Sequence, residues 1–290
     1  MTTVLDIIEK GTVYLEKKGI DDARRHMQLL VSHQLGCSRV ELYMQFDRPM
    51  TEEELIPLRE NLKRRGEGEP LQHILGTVEF YRREYKTDSR ALIPRPETEE
   101  LASLILKAST GDKLRILDMG TGSGVLGLTL AAELSGRCQQ LILADISEDA
   151  LSLAEENATL IGLGRYELCQ TNLFESLQEE TFHILAANLP YIAETDRATL
   201  TPEVLKDPDS ALFGGKDGLD ILRDFIQQAP LHLHPSGMIA LEIGHDQATA
   251  VEKLLAEAGF TDIYTHKDLN DIARFPIATL PDSPESQPPT

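Results

Sequence analysis

Cysteine is scarce. Cys37, Cys138 and Cys169 stand far apart in the 290 residues, with neither metal-ligand nor redox spacing, so they are predicted to be buried free thiols. Long apolar runs are missing too, and none approaches the roughly 20 residues that a membrane-spanning helix needs. The opening residues, Met1 to Lys10, mix Asp6 and Glu9 with apolar side chains and have no basic stretch leading into an apolar core. They are therefore not read as a secretory signal. These absences point to the cytoplasm.

Basic charge is scarce only in the longer part of the chain. Residues 1–90 hold 15 Lys/Arg and 16 Asp/Glu, whereas residues 91–290 hold 13 and 32, which together give the net charge of −20. Such acidity repels a phosphate backbone, so nucleic acid is a poor default partner even if the charge serves only solubility. What is present is enough for a core. With 41% hydrophobic residues, the chain suits one large or two ordinary domains.

Residues 1–70 read as a helical domain. Ile7, Ile8, Val13 and Leu15 outline one amphipathic segment, and Ala23, Met27, Leu30 and Val31 a second. Thr51 with Glu54 forms a capping-box pattern ahead of Leu55, Leu58 and Leu62, and that third helix should end at Gly66 or Gly68. With no glycine loop and no clustered catalytic types, this domain reads as a docking element. In residues 71–92 the period changes. Thr77 to Tyr81 and Glu84 to Thr87 predict a β-hairpin linker. The segment Ile93-Pro94-Arg95-Pro96-Glu97-Thr98-Glu99-Glu100 then suits a helix start, and Arg95, in a stiff proline-bounded stretch, is a candidate to face a ligand.

Residues 93–280 alternate strand and helix, the signature of an α/β fold with a mostly parallel sheet. Strands are predicted at Leu114–Asp118, Gln140–Asp145, Tyr166–Gln170, Phe182–Ala187 and Met238–Ile243. Helices are predicted at Val125–Leu134, Glu148–Ile161, Leu219–Gln228 and Gln247–Ala258, and two short strands near Ile263 and Ile277 close the sheet. Residues 281–290, without an apolar side chain other than proline, predict a disordered tail.

Two stretches carry chemistry. Asp118-Met119-Gly120-Thr121-Gly122-Ser123-Gly124 joins a strand to a helix, where glycines let the backbone curl and approach a cofactor closely. Gly122, Gly124 and Gly127 also spell a dinucleotide fingerprint, and Asp145 lies near the distance of a ribose carboxylate, so NAD and S-adenosylmethionine compete as ligands. The acid before the loop and the spacing of Gly120, Gly122 and Gly124 favour S-adenosylmethionine, since they resemble the first motif of Rossmann-like methyltransferases. The second stretch, Asn188-Leu189-Pro190-Tyr191, follows the strand Phe182–Ala187. There an amide, a main-chain carbonyl and an aromatic ring can grip a flat, amide-bearing group. Methyl transfer asks mainly for alignment, so the lack of an obvious nucleophile or acid/base pair is no objection.

With these motifs the chain resembles the glutamine methyltransferases of the HemK/PrmC type, which methylate the glutamine of the Gly-Gly-Gln motif in bacterial class I peptide release factors. The resemblance runs through Glu69 to Gly76, Glu79-Phe80-Tyr81, Ile93 to Glu99, the glycine loop, Asn188 to Tyr191, Gly214 to Leu219 and Glu242 to Gln247. It implies a Rossmann-like methyltransferase domain behind the helical one. Gly120, Thr121, Gly122, Ser123, Gly124 and Asp145 would hold the cofactor, with Asn172 and Leu173 beside the adenine. Asn188, Leu189, Pro190 and Tyr191 would form the catalytic and substrate-binding turn, Asn188 touching both ligands. No metal is implied.

The sequence departs from the family at three places. Asn172 stands where Asp is usual, Leu173 where an aromatic is frequent, and Leu189 where proline is usual. The Asn-Leu-Pro-Tyr form is also reminiscent of ribosomal RNA adenine dimethyltransferases. An adenine-N6 methyltransferase acting on RNA or DNA is therefore the alternative, because an adenine amino group resembles a carboxamide. A base-flipping enzyme needs a basic groove, which the acidic balance after residue 90 does not offer. An NAD-dependent oxidoreductase would keep the glycine loop and leave the Asn188 turn without a role, as would a non-catalytic cofactor-binding module.

Overall fold

A computed structural model describes residues 2–282 of the chain. The chain forms two units, Met1–Thr77 with Thr201–Lys206, and Val78–Leu200 with Asp207–Thr290. The part of the predicted tail from residue 283 onward lies outside the described residues.

The first unit is helical: α1 Val4–Lys17, α2 Ala23–Leu35, α3 Arg39–Tyr43, α4 Glu52–Gly66 and α5 Leu71–Leu75. Capping boxes start three of these helices, pairing Thr3 with Asp6, Ser38 with Glu41 and Thr51 with Glu54. Each box satisfies backbone N–H groups that the helix itself leaves unpaired. Ile8, Leu15, Met27, Leu30, Val31, Leu55 and Leu58 are buried as their spacing predicts, but Val13 is exposed. Its position falls off the α1 stripe that carries Val4, Ile8 and Leu15. Arg65 explains why Thr201–Lys206 belongs with these helices. Its guanidinium is buried and donates to Glu203 at 2.7 Å, to the Glu69 carbonyl at 2.9 Å and to His26 Nδ1 at 3.2 Å. A buried charge needs such partners.

A hairpin follows, β1 Thr77–Phe80 and β2 Arg83–Lys86, all but its first residue in the second unit. Tyr81 and Arg82 make the turn with φ of 48° and 63°. Then follow α6 Pro96–Ala108, β3 Leu114–Met119, α7 Val125–Leu134, β4 Cys138–Asp145, α8 Glu148–Leu160, β5 Glu167–Gln170 and β6 Phe182–Ala187. The chain continues through α9 Asp209–Leu212, α10 Asp220–Gln228, β7 Leu233–Leu241, α11 Ala248–Glu257, β8 Thr261–Lys267 and β9 Ala273–Thr279. The larger sheet runs in the order β5-β4-β3-β6-β7-β9-β8. It is parallel except for β9, which runs antiparallel to both of its neighbours.

Strands β3, β4, β6 and β7 are apolar on both faces because helices cover both. Leu117, Ile142, Leu185 and Ile239 face one cluster with Phe225 and Val251, while Ile116, Leu141, Ile184 and Met238 face another with Leu101 and Leu128. The three cysteines are free but only partly buried, which corrects the expectation of buried thiols. Cys138 opens β4 and Cys169 lies on the edge strand β5, where one side has no neighbouring strand to cover it.

Candidate active site

Chain connections decide where this site lies. From β3 the chain passes to β4 on one side, while β6 lies against the other side of β3 and leads on to β7. Such a reversal leaves a crevice at the carboxyl ends of the two central strands, where open α/β sheets bind ligands. The glycine loop leaves β3 there and the Asn188 turn leaves β6 beside it.

A cavity of about 360 Å³ occupies the crevice. It is lined by Gly120, Thr121, Gly122, Ser123, Asp145, Asn172, Leu173, Asn188, Leu189 and Pro190, together with Arg95, Thr98, Asp118 and Ile146. Ten of the predicted site residues thus meet in one place. Gly124 and Tyr191 do not line it. Gly124, with φ of 84°, turns the chain into α7, and a side chain there would press on Leu128 and Ala154. Tyr191 stands behind the turn, its carbonyl accepting Gln247 Nε2 at 2.9 Å. Burial pushes its hydroxyl pKa up to about 12.

The loop is shaped by two acids, buried Asp118 and half-buried Asp145. Asp118 Oδ2 accepts the Thr121 hydroxyl at 2.6 Å and the Gly127 N–H at 2.8 Å. Burial raises its pKa to about 7. Gly127, the last glycine of the dinucleotide pattern, therefore serves packing: a β-carbon there would lie 2.6 Å from Leu143 Cδ2 and 2.8 Å from Asp118 Cβ. At the end of β4, Asp145 accepts Gly122 N–H and Ser147 N–H, each at 2.9 Å. Burial shifts its pKa upward against these bonds. A carboxylate has about four acceptor positions, so acceptor capacity remains for vicinal hydroxyls of a ribose. At the end of β5, Thr171 Oγ1 donates to the Leu173 carbonyl at 3.0 Å and accepts from Ser176 N, holding Leu173 at φ 49°. Asn172 Nδ2 donates to Glu175 at 2.8 Å. A curled backbone, a lining carboxylate at Asp145 and apolar lining from Ile146 and Leu126 fit an adenosine-bearing cofactor.

Asn188 and Thr98 also line the cavity, where Asn188 Nδ2 donates to Thr98 Oγ1 at 3.1 Å and Thr98 donates to Glu242 Oε2 at 2.7 Å. Glu242 reaches Asn188 because its N–H pairs with the Ala187 carbonyl, continuing the β6–β7 ladder. Burial raises the Glu242 pKa to about 7. Arg95 lines the cavity too and donates to Asp207 at 2.9 Å. Gln247 ties the turn to its surroundings, accepting Gly244 N–H at 2.8 Å while its amide donates to the carbonyls of Tyr191 and Gly218. Asp207 and the roles of Thr98, Glu242 and Gln247 were not foreseen. The motifs containing the last three stand out in the sequence, but nothing local joins positions 144 residues apart.

Known families match both parts of this chain. Residues 6–76 match the PrmC N-terminal domain, and residues 110–242 match a methyltransferase domain. The release factor glutamine methyltransferase of Geobacter sulfurreducens is 37% identical over 273 residues, covering 94% of this chain and 95% of that protein. The enzyme of the same name from Rhodopirellula baltica is 35% identical, covering 92% and 93%. Among solved structures, a Thermus thermophilus 16S rRNA N2 G1207 methyltransferase in complex with AdoMet and guanosine has a TM-score of 0.52 at 18% identity, covering 70% of this chain and 49% of its own. A methyltransferase from Pyrococcus furiosus has a TM-score of 0.51 at 17% identity, covering 68% and 88%. Both likenesses concern the fold.

Proposed function

Since this chain belongs to the family of release factor glutamine methyltransferases, we propose that it methylates the side-chain amide nitrogen of the glutamine in the Gly-Gly-Gln motif of class I peptide release factors, supporting translation termination. The cofactor is S-adenosylmethionine. The observation that best supports the assignment of residues is the single cavity shared by the glycine loop and the Asn188–Pro190 turn. Gly120, Thr121, Gly122 and Ser123 cradle the cofactor, Gly124 turns the chain away from it, Asp145 accepts its ribose hydroxyls, and Asn172 and Leu173 flank the adenine.

When bound, S-adenosylmethionine supplies an electrophilic methyl group on a sulfonium. An amide nitrogen is a poor nucleophile because its lone pair is delocalised into the carbonyl. Asn188 Oδ1 and the Leu189 carbonyl each accept one of its N–H groups, aiming the nitrogen along the axis of displacement and favouring pyramidalisation as the new bond forms. With the methyl donor held by the glycine loop and Asp145, these residues would need only to align the amide nitrogen with it and would supply no nucleophile of their own. Pro190 walls the amide, and Tyr191 braces the turn from behind.

In this reading residues 1–70 dock the release factor, residues 71–92 link the parts through helix α5 and the hairpin rather than through a hairpin alone, and residues 93–280 carry the chemistry. Among the described residues no helix is long and apolar enough to cross a membrane. A release-factor substrate puts the reaction in the cytoplasm, with protein rather than nucleic acid as the methylated partner. Mass spectrometry of release factor incubated with enzyme and cofactor tests this. One added methyl on the Gly-Gly-Gln glutamine supports it, and an unmodified glutamine counts against it.

A further inference from the structure

We propose that Thr98 and Glu242 are positioning residues that fix which way the Asn188 amide faces, so that its oxygen, and not its NH₂, meets the substrate. The inference rests on the function proposed above.

An asparagine amide is nearly symmetric in shape, and only its hydrogen-bond partners decide which end points where. A turn that must accept a substrate N–H works in one orientation and repels the substrate in the other. Thr98 Oγ1 lies between Asn188 Nδ2, at 3.1 Å, and Glu242 Oε2, at 2.7 Å. An ionised carboxylate can only accept, so the single Thr98 proton goes to Glu242. Thr98 then has only lone pairs left for Asn188, which must present its NH₂ to Thr98 and turn Oδ1 away. A three-member chain of bonds thus transmits the acceptor character of Glu242 to the amide.

Burial supports the assignment. Thr98 is 4% exposed and Glu242 1%, so water has little access to replace either partner. Two groups flank Glu242 from neighbouring elements. Glu97 on α6 disfavours its charge, while Arg274, on β9 and bonded to the Ile243 carbonyl, favours it. Tyr191 in the turn and Asn188 itself also face it. With the Glu242 pKa near 7, protonation would put a donor beside Thr98 and remove the polarity of the chain of bonds. The turn should therefore lose its preferred amide orientation as pH falls below neutrality.

The test uses full-length Thr98→Val, Thr98→Ser and Glu242→Gln. S-adenosylhomocysteine affinity reports an intact fold and cofactor site, and kcat on release factor is measured from pH 5.5 to 8.5. Thr98→Val should lose at least about tenfold in kcat with cofactor affinity within about twofold, and Thr98→Ser should recover most of the loss. Glu242→Gln should lower kcat and abolish its fall below pH 7, because a carboxamide can donate or accept at any pH. If Glu242→Gln does not fold, the threonine pair decides. Thr98→Val with unaltered kcat and pH profile overturns the proposal. Inactive unaltered enzyme would instead overturn the function. The ¹⁵N side-chain signal of Asn188 then carries the test, and it must titrate in the unaltered protein and cease to do so in Thr98→Val.

Discussion

Leu189 closes directly over the backbone of Gly120: its Cδ2 lies 2.8 Å from where a β-carbon on Gly120 would stand. The Asn188 turn and the glycine loop therefore share one packing contact. Leu189 is 4% exposed, so its side chain is confined by packing, and Gly120, with φ of 67°, lets it approach the backbone closely. This contact supplies rigidity that a proline at position 189 would supply through fixed φ and restriction of the preceding residue.

Leu189→Pro should accordingly keep glutamine methylation within about tenfold, roughly 1.4 kcal/mol in the barrier. Asn188→Ala removes an acceptor and should cost at least about a hundredfold. Gly120→Ala should also be impaired, since a methyl group there meets Leu189 in a left-handed backbone conformation. Rates of methyl incorporation into release factor measure all three.

Asp145→Ala should weaken cofactor binding by about 2–3 kcal/mol, the scale of charge-assisted hydrogen bonds to two hydroxyls. Calorimetry with S-adenosylhomocysteine is the check. Burial raises the Asp145 pKa, so affinity in the unaltered protein should begin to fall at a higher pH than for an ordinary aspartate as acid is added. Asp145→Asn should remove that dependence.

Asp118 links the loop to stability. Its pKa rises from 3.8 to about 7 on folding, so the native state binds the proton more tightly than the unfolded chain. Its favourable contribution is full below about pH 4 and is lost as pH rises through 7. At about 1.4 kcal/mol per unit, the loss is roughly 4 kcal/mol. Asp118→Asn can still accept from Thr121 and Gly127, and it should flatten the decline in unfolding free energy between pH 4 and pH 8, as read by urea melts.

Deleting residues 1–70 should raise KM for folded release factor while leaving S-adenosylhomocysteine affinity within about twofold, provided circular dichroism shows a folded sheet domain. Normal kinetics on folded release factor would remove the docking role.

The strongly patterned elements were legible from sequence. Val125–Leu134 and Phe182–Ala187 have the predicted ends, because an apolar run bounded by turn residues leaves little choice of register. Strand β7 was not. It begins at Leu233, but Pro235, Ser236 at φ 59° and Gly237 interrupt the apolar pattern, and the ladder with β6 shifts register between Phe182 and Ile184. In the site, residues of the loop and turn could be named in advance because consecutive residues carry each motif. Thr98 and Glu242 could not be assigned roles. Their meaning depends on β6, β7 and α6 converging, which only the assembled sheet provides.

The most direct measurement of the central claim is to incubate the unaltered enzyme with methyl-labelled S-adenosylmethionine, offering release factor and ribosomal RNA in separate reactions, and to map the label. A glutamine methyltransferase should leave one labelled methyl on the amide nitrogen of the Gly-Gly-Gln glutamine and none on RNA. Label on an RNA adenine, with the glutamine unmodified, would contradict it.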